Sequence, residues 1–337
     1  MIRFDYARPS RVAEAVEAGA GEHVAYLAGG TNLVDLMKEN VARPARVVDI
    51  NRLPLTEISE LANGGLRLGA LVTNSETAYD ARVRERYPLL SSTILAGASP
   101  QLRNAATNGG NLNQRTRCYY FYDVGTACNK RVPGQGCGAI GGVNRIHAIL
   151  GASEQCIATQ PSDMSVALAA LKAEVRVTGP EGGRVIAFED YHRLPGDEPW
   201  RDNNLRPGEL VTAIDLPPED FSRHYTYLKL RDRLSYAFAL VSAAVAMRME
   251  GEVIAKARVA LGGVAHKPWR RAEAEALLAG KTPDRAAFAA FADALIDGAR
   301  GQGENDFKIP LARRVIVRAL EQAAAGTPQS QTDKRVA

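Results

Sequence analysis

The chain has 337 residues, and its 42 lysines and arginines against 38 aspartates and glutamates leave a formal charge of +4. This charge is spread along the sequence instead of forming a basic stripe, so we expect no nucleic-acid partner. No apolar run approaches the roughly 20 residues that a membrane-spanning helix needs, and we expect neither a span nor a signal peptide of the chain's own. Four cysteines are too few for a secreted disulfide framework.

The first half of the chain predicts a β-α-β unit, then helices, then a hairpin. Apolar periodicity and turn residues place the elements as follows. A helix starts near Ser10, a strand covers 24–28, a helix 33–40 and a strand 47–50; a strand covers 66–72, helical stretches cover 81–94 and 100–106, a helix covers 163–171, and hairpin strands cover 173–177 and 184–188.

The segment from about 114 to 158 interrupts this pattern. It is rich in glycine and has little apolar periodicity, so we expect a loop insertion that is held by something other than its own core.

A second unit is predicted to begin near residue 222, with three strands followed by three helices. The strands are expected at 225–230, 238–249 and 253–263, with a tight turn at 250–252, and the helices at 270–280, 284–300 and 311–326. The closing residues 327–337 are polar, and we expect them to form a flexible tail.

Two glycine-rich loops are candidates for binding phosphate. The sequence "LAGGTNL" at 27–33 lies between a predicted strand and a helix, where backbone N–H groups can approach an anion. Its spacing is not that of a dinucleotide-binding Rossmann unit, and a plain strand-to-helix turn is the alternative. A second loop, "TNGGNLN" at 107–113, adds Thr107, Asn108, Asn111 and Asn113 as hydrogen-bonding residues. Two such loops suit a ligand with two phosphates.

Three ordered stretches carry a further signal: "LAGGTNL", "ASPQLRNAATNGGNLN" at 98–113 and "ARVALGGVAHKPWR" at 257–270. Together they resemble the signatures of the FAD-binding subunits of molybdenum hydroxylases, the family of xanthine dehydrogenase and bacterial carbon monoxide dehydrogenase. The resemblance implies an α+β fold with a two-part FAD-binding domain of the vanillyl-alcohol-oxidase (PCMH) type. A C-terminal domain with a three-stranded antiparallel sheet and a helix bundle follows. It places the first domain at 1–220 and the second at 221–326.

The same resemblance implies which residues hold FAD. The pyrophosphate loop would comprise Leu27, Ala28, Gly29, Gly30, Thr31, Asn32 and Leu33, and Thr107, Gly110 and Asn111 would continue it. Asp163 would accept hydrogen bonds from hydroxyl groups of the flavin nucleotide, and Lys229 would offset negative charge of the cofactor. An N-cap of the following helix is the alternative for Asp163, and a solvated strand residue is the alternative for Lys229.

The four cysteines, Cys118, Cys128, Cys137 and Cys156, all lie in the insertion. Four thiolates can hold a 4Fe-4S cluster or a structural zinc, and the spacing alone decides neither. Unligated thiols are the third possibility. Basic residues in the segment would stabilise an anionic cluster, and an aromatic run would shield it; these residues are Arg115, Arg117, Lys130, Arg131 and Arg145, and Tyr119, Phe121 and Tyr122.

The insertion resembles that of an aldehyde oxidoreductase branch of the family, whose 4Fe-4S ligand positions all four cysteines match. His147 also lies in this segment, either as a ligand or, as we favour, in a hydrogen-bonding role at the surface. The five histidines show no metal-ligand spacing, and no nucleophile motif or carboxylate pair is present. We therefore expect no catalytic residue in this chain.

The resemblance implies an electron-transfer subunit of a heterotrimer that oxidises aldehydes. Its partners would be a large molybdopterin-binding subunit and a small 2Fe-2S subunit, and FAD would pass electrons to an external acceptor. A free-standing flavin oxidase and a zinc-stabilised, non-catalytic scaffold are the alternatives. The expected location is the periplasm, by export together with a signal-bearing partner, or the cytoplasm.

Overall fold

The chain begins with a small parallel sheet, and the computed structural model describes residues 1–327. The predicted flexible tail therefore lies outside the described residues, apart from Thr327. The first elements are β1 (Asp5–Ala7), α1 (Val12–Ala18), β2 (Val24–Leu27), α2 (Leu33–Lys38) and β3 (Arg46–Asp49), in the sheet order β1-β3-β2. The predicted β-α-β unit is confirmed. Strand β1 was not predicted from the sequence, because its three residues are too few to show an apolar period.

An antiparallel sheet of five strands forms the second part of the first domain. Its strands are β4 (Ile58–Glu60), β5 (Leu66–Gly69), β6 (Glu174–Gly179), β7 (Gly182–Ala187) and β8 (Leu210–Leu216), in the order β4-β5-β8-β6-β7. The predicted β6-β7 hairpin is confirmed. Our sequence analysis did not predict β8, although this strand is central and joins β5 to β6.

Short helices connect and cover this sheet. They are α3 (Asn74–Tyr79), α4 (Ala81–Arg86), α5 (Pro88–Ala96), α6 (Pro100–Ala105), α7 (Asn108–Leu112), α8 (Tyr119–Tyr122), α9 (Asp163–Leu171) and α10 (Phe188–Tyr191). The helical stretch predicted at 81–94 is divided between α4 and α5. Pro88 causes this break, because proline cannot donate a helical hydrogen bond but is well suited to the first position of a new helix.

The C-terminal unit is a three-stranded antiparallel sheet covered by helices. Strands β9 (His224–Leu230), β10 (Val241–Glu250) and β11 (Val253–Gly262) lie in the order β11-β10-β9, and α11 (Ala272–Glu275), α12 (Arg285–Leu295) and α13 (Lys308–Ala324) follow. The predicted tight turn is confirmed, and Gly251 at its tip has φ +58°, which glycine adopts without strain. The predicted α+β fold, a two-part first domain and this second domain, is confirmed as well. No helix within residues 1–327 is long and apolar enough to cross a bilayer.

Helix α9 joins the first domain to the C-terminal unit. Its first residue is Asp163, one of the predicted site residues. Every residue from Met164 to Leu171 is buried, because α9 lies between α5 and the strands β10 and β11. A Cβ on Gly262 would lie 2.6 Å from the Val166 side chain, so this glycine allows the close contact of helix and strand. Asp163 is thereby fixed at the junction of the first domain and the C-terminal unit.

Candidate functional site

The first glycine loop connects β2 to α2 and lies against the end of α6. A Cβ on Gly29 would lie 1.8 Å from the carbonyl oxygen of Ala105, so no other residue fits there without moving backbone. Gly30 has φ +71°, a conformation that favours glycine. The loop therefore turns tightly and presents its backbone at the surface of a cleft.

The second glycine loop forms the start of α7. The hydroxyl of Thr107 accepts a hydrogen bond from the Gly110 N–H at 3.2 Å and caps the helix. Asn111 donates to the Asn74 side chain at 2.7 Å, which holds its amide at the cleft. Asn108 differs from our expectation, because it is completely buried and its side chain bonds Thr77 and the Gly69 carbonyl instead of facing the cleft.

Asp163 and Lys229 form a buried ion pair between α9 and β9. The ammonium group lies 2.8 Å from the carboxylate, and the side chains are 4 % (Lys229) and 10 % (Asp163) exposed. The Tyr227 hydroxyl donates to the other carboxylate oxygen. The solvated-strand reading of Lys229 is therefore wrong. The N-cap reading of Asp163 is wrong too, because Ser162 caps α9 by accepting from the Ser165 N–H at 3.0 Å.

One large cleft brings these residues together. Its volume is about 1010 Å³, and it runs between the two glycine loops and the β9–β10 connection. Eleven of the twelve residues predicted to bind the cofactor line it: Ala28, Gly29, Gly30, Thr31, Asn32, Leu33, Thr107, Gly110, Asn111, Asp163 and Lys229. Leu27 ends β2 and is not part of the lining.

The four cysteines surround a second, much smaller cavity. Cys118, Cys128 and Cys156 are buried and Cys137 is half-buried, although Cys118 and Cys156 are 38 positions apart in the sequence. Two short antiparallel bridges order this chain, one between Cys128 and Cys137 and one between Ser153 and Cys156. The remaining wall includes Phe121, Ala139 and His147.

The environment of the thiols is apolar. Burial raises the pKa of the Cys118 thiol to about 12 and that of Cys156 to about 11. Among residues 1–327, no three or more His, Cys, Asp or Glu side chains are arranged to hold a metal ion between them.

The basic residues of the insertion do not surround the cysteines as we expected. Arg115 and Lys130 pair with Asp202, and Arg145 pairs with Asp232 at the surface. Arg131 donates to the carbonyl oxygens of Tyr120 and Phe121. Of the five predicted cations, Lys130 alone reaches the cavity wall among the described residues.

The aromatic shield is also only partly as expected. Phe121 is completely buried and lines the cavity, together with Tyr120, which the sequence analysis did not single out. Tyr119 is 54 % exposed and does not line it. The Tyr122 hydroxyl instead donates to Asp35 at 3.1 Å.

Comparison with known proteins identifies the family. Residues 2–219 match the family described as the FAD binding domain in molybdopterin dehydrogenase, and residues 224–323 match the CO dehydrogenase flavoprotein C-terminal domain. The chain belongs to the FAD-binding subunits of the molybdenum hydroxylases. It is an oxidoreductase subunit of that family.

Relatives and solved structures cover nearly the whole chain of this FAD-binding subunit. The aldehyde oxidoreductase FAD-binding subunit PaoB of Escherichia coli is 48% identical over 327 residues, 96% of this chain and 99% of that protein. The carbon monoxide dehydrogenase medium chain of Afipia carboxidovorans is 29% identical, over 96% and 97% of the two chains. The structure of carbon monoxide dehydrogenase from Hydrogenophaga pseudoflava matches with a TM-score of 0.76 at 28% identity, covering 97% of this chain and 99% of that one.

The β9–β10 connection of this FAD-binding subunit lines the cleft, and the sequence analysis missed it. Asp232, Arg233, Tyr236 and Phe238 all lie on the cleft wall. Tyr236 has φ +52°, which is unusual for a residue other than glycine and is typical of functional sites. No residue pattern marks this strain in the sequence.

Arg117 was also missed as a cleft residue. Its guanidinium lies 5.0 Å from the centre of the Phe238 ring, and it makes no ion pair within residues 1–327. Burial lowers its pKa, so it is a partly desolvated cation on the wall of the cleft. Arg117 lines the cleft, and the next residue in the sequence, Cys118, lines the cysteine cavity.

The buried ion pair of this cleft allows a direct test. Asp163→Asn is expected to lower the free energy of unfolding by about 2 kcal/mol, because a neutral amide no longer balances the Lys229 ammonium. Urea denaturation measures the change. Asp232→Asn is the control, since its partner Arg145 and Asp232 itself are 46% and 58% exposed and such pairs contribute little. Equal effects of the two changes would contradict the assignment.

Proposed function

We propose that the chain is the electron-transfer subunit of a heterotrimeric molybdenum hydroxylase that oxidises aldehydes to carboxylic acids. The observation that carries this proposal is the cleft between the two glycine loops, in a chain 48% identical to an aldehyde oxidoreductase FAD-binding subunit. Substrate is oxidised at a molybdopterin centre in a large partner, and 2Fe-2S clusters in a small partner carry the electrons onward. FAD bound to this chain supplies the redox chemistry that passes them to an external acceptor.

The two glycine loops hold the FAD pyrophosphate in this proposal. Backbone N–H groups between Leu27 and Leu33 donate to the phosphate oxygens, because the absence of a side chain at Gly29 and Gly30 lets the phosphate come close. Thr107, Gly110 and Asn111 continue the cradle from the opposite side. Arg117 adds positive charge on the same cleft, and its lack of a carboxylate partner in residues 1–327 supports this role.

Asp163 and Lys229 position the nucleotide. The Asp163 carboxylate accepts hydrogen bonds from hydroxyl groups of the ribityl chain or ribose, and the Lys229 ammonium offsets negative charge of the cofactor. Both side chains already lie on the cleft wall and fix each other's orientation, so they are preorganised for binding.

The four cysteines hold a 4Fe-4S cluster in this proposal. The donor set fits such a cluster, because four thiols and no carboxylate line one small apolar cavity.

Zinc is the alternative occupant of this cavity, because four thiolates can also form a closed tetrahedral zinc site. The resemblance of the four cysteine positions to those of the aldehyde oxidoreductase branch favours the cluster.

A free-standing oxidase would need an acid or base beside the flavin, and Asp35, Glu209 and Asp232 on the cleft wall are of residue types that can act so. The 48% identity to an aldehyde oxidoreductase FAD-binding subunit favours the electron relay, with substrate oxidised in a partner subunit.

Metal and flavin analysis of protein purified anaerobically with its partners tests this function. The expected content is one FAD and about four irons attributable to this chain. Cys128→Ser is expected to lose those irons and keep FAD, because the cysteine cavity and the cleft are separate. Val124→Ala is the control, since Val124 lies in the insertion, is 55 % exposed and does not line the cavity.

Two results would contradict parts of this proposal. One zinc and no iron would make the insertion a structural clip, and electron transfer would then rest on FAD alone. Substrate turnover by this chain without partners would favour the flavin oxidase instead.

A further inference from the structure

A completely buried histidine contacts one of the four cysteines. His147 is 1 % exposed, so the expected surface position is wrong, and its Nε2 atom lies 3.0 Å from the sulfur of Cys118. The other ring nitrogen, Nδ1, is buried and makes no hydrogen bond within residues 1–327. The imidazole therefore has one polar neighbour, and that neighbour is a thiol.

The C-terminal domain fixes the position of His147. The backbone carbonyl of His147 accepts hydrogen bonds from Lys308 at 2.8 Å and from Asn305 at 3.2 Å, and both of these side chains are completely buried. The His147 N–H donates to the Asn144 carbonyl at 2.9 Å. The ring is thus held against Cys118 by contacts that do not involve the cysteines.

The contacts of the two ring nitrogens decide which of them carries the hydrogen. Nε2 faces the Cys118 sulfur at 3.0 Å, whereas the buried Nδ1 has no partner within residues 1–327. A neutral imidazole carries one N–H, and a thiolate can only accept a hydrogen bond. Placing the hydrogen on Nε2 satisfies both groups, whereas the other tautomer would bury an unpaired N–H and set a lone pair against the sulfur.

We propose that His147 is a positioning residue that donates an Nε2–H hydrogen bond to the Cys118 sulfur and thereby raises the reduction potential of the cluster. The inference rests on the proposed function, in which the four cysteines hold a 4Fe-4S cluster. In this proposal His147 is not itself a cluster ligand, since its Nε2 atom points at the sulfur of Cys118, which is one.

The direction of the effect follows from charge. The reduced cluster is more negative than the oxidised one, so a hydrogen bond to a ligand sulfur stabilises the reduced form more. A hydrogen bond to a charged group of this kind changes an equilibrium on the order of tenfold. For a one-electron couple, that tenfold change corresponds to about 59 mV.

A redox titration followed by EPR tests the inference on the full chain purified anaerobically with its partners. The cluster signal of this chain is the one that Cys128→Ser abolishes. His147→Leu is expected to keep about four irons and one FAD, with a midpoint potential lower by about 59 mV. His147→Gln retains a side-chain N–H donor and is expected to remain near the wild-type potential.

His224→Gln is the control, because its ring bonds the Ala323 carbonyl, far along the chain from the insertion. An unchanged potential and EPR signal in His147→Leu, with iron retained, would overturn the inference and leave the proposed function intact. Loss of iron in His147→Gln, with FAD retained as a sign of correct folding, would show that the imidazole is a ligand and would also overturn it. An iron-free wild-type chain would overturn both the proposed function and the inference.

Discussion

Replacing Asp202 with alanine is expected to lower the free energy of unfolding by about 3–5 kcal/mol. Asp202 lies between α10 and β8 and pairs with Lys130 and Arg115 of the cysteine insertion. The Lys130 side chain is 1 % exposed, and its ammonium also donates to the Pro199 carbonyl at 2.8 Å. Alanine would leave this buried cation without a counter-charge, which costs far more than loss of a surface ion pair. Urea denaturation at neutral pH measures the change.

Acid should have the same effect as the substitution. Burial alone would raise the pKa of Asp202, but the charges of Arg115 and Lys130 outweigh it and hold that pKa well below its usual range. The carboxylate therefore contributes its stability fully above the unfolded-state pKa of about 3.9 and loses it as the pH falls further. When the pH falls from 5 to 2, the free energy of unfolding should therefore fall less in Asp202→Ala than in the wild type. This is the pH range in which linkage predicts the loss.

Two variants separate this mechanism from a general loss of packing. Asp293→Ala removes a carboxylate that also binds an arginine through two oxygens but is 57% exposed, and should cost less than about 1 kcal/mol. Lys130→Met in the Asp202→Ala background should recover part of the loss, because the uncompensated charge is gone. If Lys130→Met made the double variant still less stable, the effect of Asp202 would not come from burying a charge.

The fold was largely predictable because its elements carry local signals. The strands β9, β10 and β11 alternate with clear turns, and Gly251 marks the hairpin between the last two. Strand β8 was missed although Pro207 and Gly208 precede it and Pro217 and Pro218 follow it, because a short apolar run by itself does not distinguish a strand from a buried helix. Its place at the centre of a sheet depends on pairing with strands distant in sequence, which no local window contains.

The parts of the candidate site that consist of recognisable residue types were predictable from the sequence. The contacts between residues that only folding brings together were not. The glycine loops and the cysteines carry recognisable residue types. The partners of the basic residues do not, because Asp202 lies 72 residues from Lys130. The expectation that these cations would face the cysteines was wrong for all of them except Lys130, because nearby carboxylates and carbonyl groups compete for the others. The same holds for the contact of His147 with Cys118, 29 residues apart.

Replacing Gly29 with alanine is expected to weaken FAD binding by at least about tenfold, or ~1.4 kcal/mol. The added Cβ would lie 1.8 Å from the carbonyl oxygen of Ala105 and 2.6 Å from its carbonyl carbon. Neither atom belongs to a flexible side chain, so the glycine loop and the end of α6 must move apart. Because α6 leads directly into Thr107 and the second loop, this movement separates the two halves of the proposed pyrophosphate cradle.

The FAD content of purified protein and the flavin dissociation constant measure this effect. Gly183→Ala is the matched control, because a Cβ there would meet nothing closer than the Val177 carbonyl at 3.6 Å, an ordinary contact. Circular dichroism separates loss of FAD from loss of fold, and we expect Gly29→Ala to keep its helical and strand content since the strands β2 and β3 do not involve the loop. Full FAD binding by Gly29→Ala would mean that the pyrophosphate does not lie between the two glycine loops.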